Sequence, residues 1–410
     1  MKRVYLDYAS TTPLDARVRR VMEPFFKESF GNPSSIHTEG AVAKKALDGA
    51  RTSVARSLEA HADEIVFTSG GTEANNLAIF GILSTLYPLS STISKPHVVT
   101  TNIEHASVLE PLRRLERQGT IEVTYVPVES NGIVSSENII SAIRPNTVLV
   151  SVMYANNEIG TIQPVAKIGK AIKQLREGLK SHIRYPKKIL NSKSKILNSR
   201  GKAYPLFHVD ACQAPLYLHC LVNALGVDLL SLDAHKICGP KGVGALYMRR
   251  GTSLTPLLFG GGQERGIRST TENIPAIVGF AQALLIAVSE REKESARVGK
   301  LRDYLCAALV QGSGAEIMLN GSMKQGERLP NNLNFSLLGV DTEFLTLQLD
   351  ANGVSVSTKS SCLKDEKNSY VISALGGGIG RSSSSLRCTL GRWTTKAEIL
   401  SAVNSIKRLI

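Results

Sequence analysis

Residues 65–74 have the sequence Ile-Val-Phe-Thr-Ser-Gly-Gly-Thr-Glu-Ala, in which an apolar strand runs through a glycine turn into a helical pattern. The first N–H groups of a helix have no partner within the helix, so such a turn can cradle a phosphate. Glycine-rich turns are also common as plain strand-to-helix connections. The stretch predicts one strand–helix unit and a candidate phosphate site at Gly71 and Thr72.

Further strands are predicted downstream of this unit from alternation and β-branched content, at 98–101, 122–128, 147–153, 206–210, 228–232 and 243–248. Helical patterns lie between several of them, for example at 106–118 and 165–179. This order predicts an α/β fold with a largely parallel seven-stranded sheet. Functional loops are then expected to gather at one edge of the sheet.

The length of 410 residues exceeds the usual size of a single hydrophobic core, which predicts two domains. After Gly260 the pattern changes to a long helical stretch at 274–310, followed by shorter strand and helix signals. We predict an N-terminal segment at 1–15 that packs with the small domain, a large domain at 16–260, and a smaller C-terminal α+β domain at 261–410.

The composition, 42% hydrophobic and 20% charged, is typical of a soluble globular protein. Apolar runs do not approach the roughly 20 residues that cross a bilayer, and residues 1–7 lack the apolar stretch of a signal peptide. We therefore expect a cytoplasmic protein without a membrane partner. The six cysteines lack paired spacing, which indicates neither a disulfide framework nor a metal site.

Two further motifs each place a reactive group at the end of an apolar strand. Residues 207–213 are Phe-His-Val-Asp-Ala-Cys-Gln, and a buried Asp210 is costly unless it meets a cation such as a protonated pyridine nitrogen. Residues 231–242 are Ser-Leu-Asp-Ala-His-Lys-Ile-Cys-Gly-Pro-Lys-Gly. Desolvation and nearby cations lower the pKa of such a lysine, so Lys236 is a candidate Schiff-base former. An isolated His-Lys pair is more often structural, but the three motifs together are hard to assign to structure alone.

With these motifs the sequence resembles the cysteine desulfurases of the NifS and IscS kind, within the fold-type I pyridoxal phosphate (PLP) enzymes. The resemblance is also carried by Tyr-Leu-Asp-Tyr-Ala at 5–9, Gly-Asn-Pro-Ser-Ser-Ile-His at 31–37, Asn-Asn-Glu-Ile-Gly at 156–160 and Leu-Arg-Cys-Thr-Leu-Gly-Arg at 386–392. It covers nearly the whole chain. It implies a fold-type I PLP-dependent transferase that converts L-cysteine to alanine and passes the sulfur to an enzyme thiol as a persulfide.

The resemblance implies a role for each matching residue around the cofactor. Lys236 bonds to the PLP aldehyde and takes the substrate's α proton, while Asp210 pairs with the pyridine nitrogen. The ring is contacted by His105 on its face, by Gln213 near its hydroxyl and by Asn157 on the substrate side. The phosphate is bound by Gly71, Thr72 and His235, and Thr271 of the neighbouring subunit completes this cup, which implies a homodimer.

Two further residues are expected to act on the substrate itself. The resemblance implies that Arg387 takes the substrate carboxylate, a task that suits the guanidinium fork. Cys362, in the polar stretch 357–367, matches the persulfide-forming cysteine of the family's mobile loop. Nearby Lys359 and Lys364 favour its thiolate.

The sequence departs from the family pattern at three places. Asp233 stands where the family has a serine near the phosphate, and an anion there repels phosphate unless it points away or is paired. Residues 363–367 replace the family's small, serine-rich residues. The stretch 176–202 holds nine Lys or Arg and one acidic residue, a net +8 out of the chain's +14.

We interpret this basic stretch as a surface insertion, with two open uses. It is either a solvated loop or a positive patch that holds tRNA or an acidic sulfur-acceptor protein. The expected products of the enzyme are sulfur for iron–sulfur cluster assembly, for tRNA thiolation or for both. The alternatives are a selenocysteine lyase or another class V aminotransferase, which would not need Cys362, and a non-catalytic binding scaffold.

Overall fold

The strands of the protein form three sheets in the residues that the structure describes. The structure is a computed structural model, and it describes residues 3–86, 95–179, 204–311, 316–358 and 368–410, without the side chains of 178–179. In chain order the strands are β1 (Val4–Tyr5), β2 (Ile65–Thr68), β3 (His97–Thr101), β4 (Glu122–Val126), β5 (Thr147–Met153), β6 (Leu206–Asp210), β7 (Leu229–Asp233), β8 (Gly244–Met248), β9 (Ile317–Leu319), β10 (Asn332–Leu337), β11 (Val354–Ser355) and β12 (Ser385–Thr389).

Helices of very different lengths cover these sheets. They are α1 (Ala16–Met22), α2 (Thr38–Ser57), α3 (Gly71–Leu86), α4 (Ala106–Arg117), α5 (Ser136–Ser141), α6 (Val165–Leu179), α7 (Val222–Leu225), α8 (Ile274–Val310), α9 (Thr342–Ala351), α10 (Tyr370–Ala374), α11 (Gly378–Ser383) and α12 (Lys396–Leu409).

The central sheet has seven strands in the order β2-β8-β7-β6-β5-β3-β4. Strands β7, β6, β5, β3 and β4 pair in parallel, and β8 runs antiparallel to both of its neighbours. Every residue of β5 is buried, as expected for an apolar strand covered on both faces. The predicted α/β fold with a largely parallel seven-stranded sheet is confirmed.

The predicted strand at 228–232 is shifted by one residue. The observed β7 runs from Leu229 to Asp233, and Asp228 lies before it with its carboxylate accepting from the backbone N–H of Phe207 at 2.9 Å. Asp233 is therefore the last residue of the strand. This shift matters because it places the Asp233 side chain at the sheet edge where the parallel strands end.

The loops after five strands meet at this one edge. Strand β2 runs antiparallel to β8, which runs antiparallel to β7, so β2 points the same way as the parallel strands. The carboxyl ends of β2, β3, β5, β6 and β7 therefore lie together, where α/β proteins bind their ligands. The predicted residues from Gly71 to Lys236 follow these strand ends.

Helix α8 is long enough and apolar enough to cross a membrane by length and composition alone, which the search for apolar runs in the sequence did not indicate. An 18-residue window of it is apolar enough to cross a bilayer by composition, but 61% of that window is buried inside the protein. The helix packs against α1 and α2. Most of its apolar residues are therefore buried in the core of the protein.

Residues from both ends of the chain share a separate apolar cluster. It includes Val4 and Leu6 together with residues between Val298 and Ile406. Strands β12, β10 and β9 form an antiparallel sheet beside it, and β1 pairs in parallel with β11. The domain boundaries given above stay a prediction.

Candidate active site

The amine of Lys236 lies against the N-terminal segment of the chain. Lys236 ends a short 3-10 turn after β7, and its Nζ donates to the carbonyl oxygens of Ala9 at 2.8 Å and Ser10 at 2.7 Å. The side-chain amide of Gln213 also donates to the Ala9 carbonyl, at 3.0 Å. The segment Ala9–Ser10 thus joins two of the predicted site residues.

Asp210 ends β6 with its carboxylate buried and held by two donors. Its Oδ2 accepts from Nδ2 of Asn75 at 2.7 Å, and its Oδ1 accepts from the backbone N–H of Cys212 at 3.0 Å. Asn75 also donates to Oγ of Ser107 at 2.9 Å, and Ser107 Oγ lies 2.7 Å from Nδ1 of His105. A hydrogen-bonded chain therefore connects His105 with Asp210, the two residues assigned to the cofactor ring.

Asn75 was missed by the sequence analysis. It lies one turn into α3, four residues after Gly71, and is 1% exposed. The available signal was an asparagine that borders the apolar run 77–83 of this helix, which is unfavourable in a buried position unless the amide finds a partner.

Glu104, the residue before His105, is a second buried group that the sequence analysis missed. Its carboxylate accepts from Oγ1 of Thr101 at 2.6 Å and from the backbone N–H of Met153 at 3.0 Å. Burial raises the pKa of Glu104 to about 8, which the bond from Thr101 partly offsets. Tyr370, from the helix after the Cys362 stretch, donates its hydroxyl to the Glu104 carbonyl.

The candidate phosphate cradle contains a carboxylate. The backbone N–H of Gly71, the first residue of α3, donates to Oδ2 of Asp233 at 2.7 Å, and the N–H of His235 donates to Oδ1 at 3.2 Å. Thr72 is exposed at the mouth of the same cleft. The cavity measures about 390 Å³ and is lined by Ser10, Thr11, Ser69, Gly70, Gly71, Thr72, Glu73, Asp233, His235, Lys241 and Gly242. Asp233 therefore points into the cradle rather than away from it.

Arg387 is fully buried and faces the same N-terminal segment. Its guanidinium donates to Oδ1 of Asp7 at 2.7 Å, to Oγ of Ser10 at 2.8 Å and to the carbonyl oxygen of Asn157 at 2.8 Å. Its Nε is buried and has no hydrogen-bond partner among the described residues. This free donor is a reason to expect a further acceptor, such as a carboxylate, beside Arg387.

Three predicted features lie apart from this group or outside the described residues. Thr271 is exposed, before α8. Cys362 and most of the basic insertion, from residue 180 onward, lie outside the described residues. Arg176, at the start of the predicted insertion, belongs to α6 and donates to the carbonyl oxygen of Pro205 at 2.8 Å and to Asp228. The Arg176 side chain therefore forms contacts within the fold rather than contributing to an exposed positive patch.

The donor set fits the ring end of PLP. A lysine amine, a buried carboxylate held in place by an amide and an imidazole connected to that carboxylate supply the groups that the pyridoxal ring needs. The phosphate end differs, since the backbone N–H groups of Gly71 and His235 already donate to Asp233.

Comparisons of sequence give one consistent family. Residues 4–183 and 192–401 match the family model for aminotransferase class-V, and the gap falls inside the basic insertion. A cysteine desulfurase IscS from Dictyoglomus turgidum is 43% identical over 413 residues, covering 100% of this chain and 95% of the relative. A putative cysteine desulfurase IscS 1 from Bacillus subtilis is 39% identical over 412 residues, covering 100% and 99%.

Solved structures give the same result. A NifS-like protein superposes with a TM-score of 0.85 at 34% identity, covering 99% of this chain and 98% of that one. SspA in complex with cysteine gives a TM-score of 0.75 at 31% identity, covering 94% and 98%. The fold-type I arrangement expected from the sequence is therefore confirmed.

Proposed function

This chain belongs to the aminotransferase class-V family, and on that premise we propose that it is a PLP-dependent cysteine desulfurase. It converts L-cysteine to L-alanine and keeps the sulfur as a persulfide on Cys362. The observation that carries the proposal is that Lys236 and Arg387 contact the same residue, Ser10, through its carbonyl and its hydroxyl. An amine that moves the α proton and a guanidinium that binds the α-carboxylate are thereby held side by side, as an amino acid substrate requires.

PLP supplies an electron sink that makes the α proton of a bound amino acid acidic. The chain's own groups do the rest. Asp210 stabilises a protonated ring nitrogen, and the bonds from Asn75 and Cys212 keep its carboxylate in one orientation. The Lys236 amine takes the proton from the substrate's α carbon. Asn157 and Gln213 border the ring, and Arg387 binds the carboxylate.

The sulfur transfer balances without an added oxidant or reductant. The thiolate of Cys362 attacks the substrate sulfur, so that an S–S bond forms as the C–S bond breaks. The electron pair of the broken bond remains with the substrate's β carbon, which takes up a proton. Cysteine and one enzyme thiol thus become alanine and one enzyme persulfide.

The persulfide sulfur then goes to an acceptor protein for iron–sulfur cluster assembly, tRNA thiolation or both. The relatives named IscS support the first of these.

We also propose a cytoplasmic homodimer in which Thr271 reaches the partner's phosphate cup. The exposed side chains of Phe26, Phe30, Ile36 and Phe259 support a covered surface between two copies.

The proposed function is tested by measuring alanine from L-cysteine with and without a reductant. Without reductant we expect about one alanine per subunit, because the persulfide is not discharged, and with reductant we expect sustained turnover. Lys236→Ala should abolish turnover and the visible absorbance of lysine-bound PLP, whereas the exposed Lys44→Ala control should keep both. A colourless wild-type protein that releases no alanine would overturn the proposal.

A further inference from the structure

A carboxylate lies where the cofactor phosphate is expected. Asp233 is 8% exposed and accepts hydrogen bonds from the backbone N–H groups of Gly71 and His235, at 2.7 Å and 3.2 Å. Gly71 and His235 are two of the residues assigned to the phosphate. The departure seen in the sequence is thus a direct occupation of the cradle by a side chain of the protein.

The contact between this carboxylate and the glycine turn is close. A Cβ added at Gly70 or at Gly71 would lie 3.2 Å from Oδ2 of Asp233. The cavity of about 390 Å³ continues from there past His235 and Lys241. A phosphate that uses the Gly71 N–H therefore has to displace the Asp233 oxygen.

The charges around the turn add to this competition. The Glu73 carboxylate accepts a hydrogen bond from the backbone N–H of Ser69 at 2.7 Å and forms an ion pair with Arg268 at 2.8 Å. A second backbone N–H of the turn is therefore already bound to a carboxylate. The His235 ring lies with its Nε2 3.5 Å from Oδ2 of Asp233, and the exposed Lys241 lines the same cavity. A phosphate entering the cradle meets the like charge of Asp233 at short range.

We infer that Asp233 is a specificity-determining residue that occupies the phosphate seat and reduces the preference of this chain for PLP over unphosphorylated pyridoxal. The inference rests on the proposed use of a pyridoxal cofactor. PLP has to displace Asp233 from the Gly71 N–H, whereas pyridoxal leaves that bond in place. Displacing Asp233 therefore weakens the binding of PLP and leaves the binding of pyridoxal unaffected.

The test compares the affinities of PLP and pyridoxal for the cofactor-free protein. Binding is measured from the absorbance of the aldehyde when it is bound to the lysine. Asp233→Ser should raise the ratio of the two affinities in favour of PLP by about tenfold, equivalent to about 1.4 kcal/mol. Asp233→Asn, which keeps the size and an acceptor for Gly71, should give part of this rise. Asp48→Ser, which removes an exposed carboxylate on α2, should leave the ratio unchanged.

A second readout needs no pyridoxal. Inorganic phosphate should raise the melting temperature of both Asp233 variants more than that of the wild type, because the cradle is then free. If Asp233→Ser does not fold, the isosteric Asp233→Asn carries the test.

The outcomes separate the inference from the proposed function. An unchanged ratio in variants that bind PLP through Lys236 overturns the inference and leaves the proposed function standing. If no variant binds PLP, the proposed function fails, and the phosphate melting shift alone decides whether Asp233 occupies an anion seat.

Discussion

The side chain of Asn75 donates a 2.7 Å hydrogen bond to Oδ2 of Asp210, and both groups are buried. A helix after β2 thus fixes the orientation of a carboxylate at the end of β6. Because the same amide also donates to Ser107, which contacts His105, Asn75 connects the residue assigned to the ring nitrogen with the residue assigned to the ring face.

Asn75→Ala should destabilise the protein and weaken PLP binding. The substitution leaves a buried carboxylate oxygen without this donor, which costs about 1–3 kcal/mol. Urea unfolding of the cofactor-free protein measures the first effect and PLP titration the second. Asn76→Ala is the matched control, because the neighbouring Asn76 on the same helix donates to the backbone carbonyls of Thr72 and Ser107, whereas the amide bound to Asp210 is that of Asn75. Equal losses in the two variants would contradict the role of Asn75.

Glu104→Gln should change how stability depends on pH. Burial raises the pKa of Glu104 to about 8, from a usual value of 4.5. Between these two values the unfolded chain has lost the proton that the folded protein keeps, so wild-type stability falls as pH rises, by up to about 1.4 kcal/mol per pH unit. Glutamine does not titrate and removes this fall.

The measurement is urea unfolding of the wild type and Glu104→Gln at pH 5, 6.5 and 8. The stability of the variant relative to the wild type should increase steadily with pH. The exposed Glu110→Gln on α4 should show no such trend. Parallel curves for the wild type and Glu104→Gln would show that Glu104 is ionised in the folded protein at neutral pH.

Cys362→Ala should abolish alanine formation and leave cysteine binding intact, since only the sulfur acceptor is lost. This outcome separates a desulfurase from an aminotransferase, which would not depend on that thiol. Cys306→Ala is the control, because this half-buried cysteine lies on α8 and packs against the apolar cluster that both ends of the chain share. Full turnover by Cys362→Ala would make the persulfide assignment wrong.

Alkylation provides an independent check of the reactive thiol. Burial raises the pKa of each cysteine that the structure describes, to about 12 for Cys220 and Cys388 and in the same direction for Cys212, Cys238 and Cys306. These thiols are largely protonated at neutral pH and react slowly. Brief iodoacetamide treatment should therefore label Cys362 first, as read by peptide mass spectrometry. Faster labelling of a described cysteine would oppose this prediction.

Deleting residues 180–202 should leave alanine production from free cysteine unchanged, because the proposed catalytic residues lie elsewhere. The deletion keeps Arg176, whose bonds to Pro205 and Asp228 belong to the fold. If the insertion recruits tRNA or an acidic acceptor, wild-type binding should weaken by about tenfold or more between 50 and 200 mM salt, and the deletion should remove most of it. Equal binding by both forms at every salt concentration would leave the solvated-loop interpretation.

Much of the fold could be predicted because it depends on local apolar pattern. The bounds of β2, β5, β6, α6 and α8 agree with those predicted from the sequence. Asp210 and Lys236 could be identified because a charged group at the end of a buried strand, or in the turn directly after it, is costly to bury without a partner. The end of β7 was misplaced by one residue, since both Asp228 and Asp233 flank the same apolar run.

The remaining groups depend on contacts between distant parts of the chain. Asn75 meets Asp210 across 135 positions, and Asp7 meets Arg387 across 380. Local patterns do not tell which strand end a helical asparagine faces. The same limit applies to Asp233, whose sequence position suggested repulsion of phosphate but not the bond to Gly71.

The position of the first strand has a consequence for the order in which the protein is made. The backbone N–H groups of Val4 and Leu6 donate to the carbonyl oxygens of Gly353 and Ser355, and that of Thr389 donates to the Leu6 carbonyl. Residues 9 and 10, which hold the Lys236 amine, therefore obtain their final place only after position 389 has been synthesised. A growing chain that has already completed the central sheet therefore still lacks the two carbonyl oxygens that hold the Lys236 amine, so the cofactor site is expected to form after the sheet that carries most of its residues.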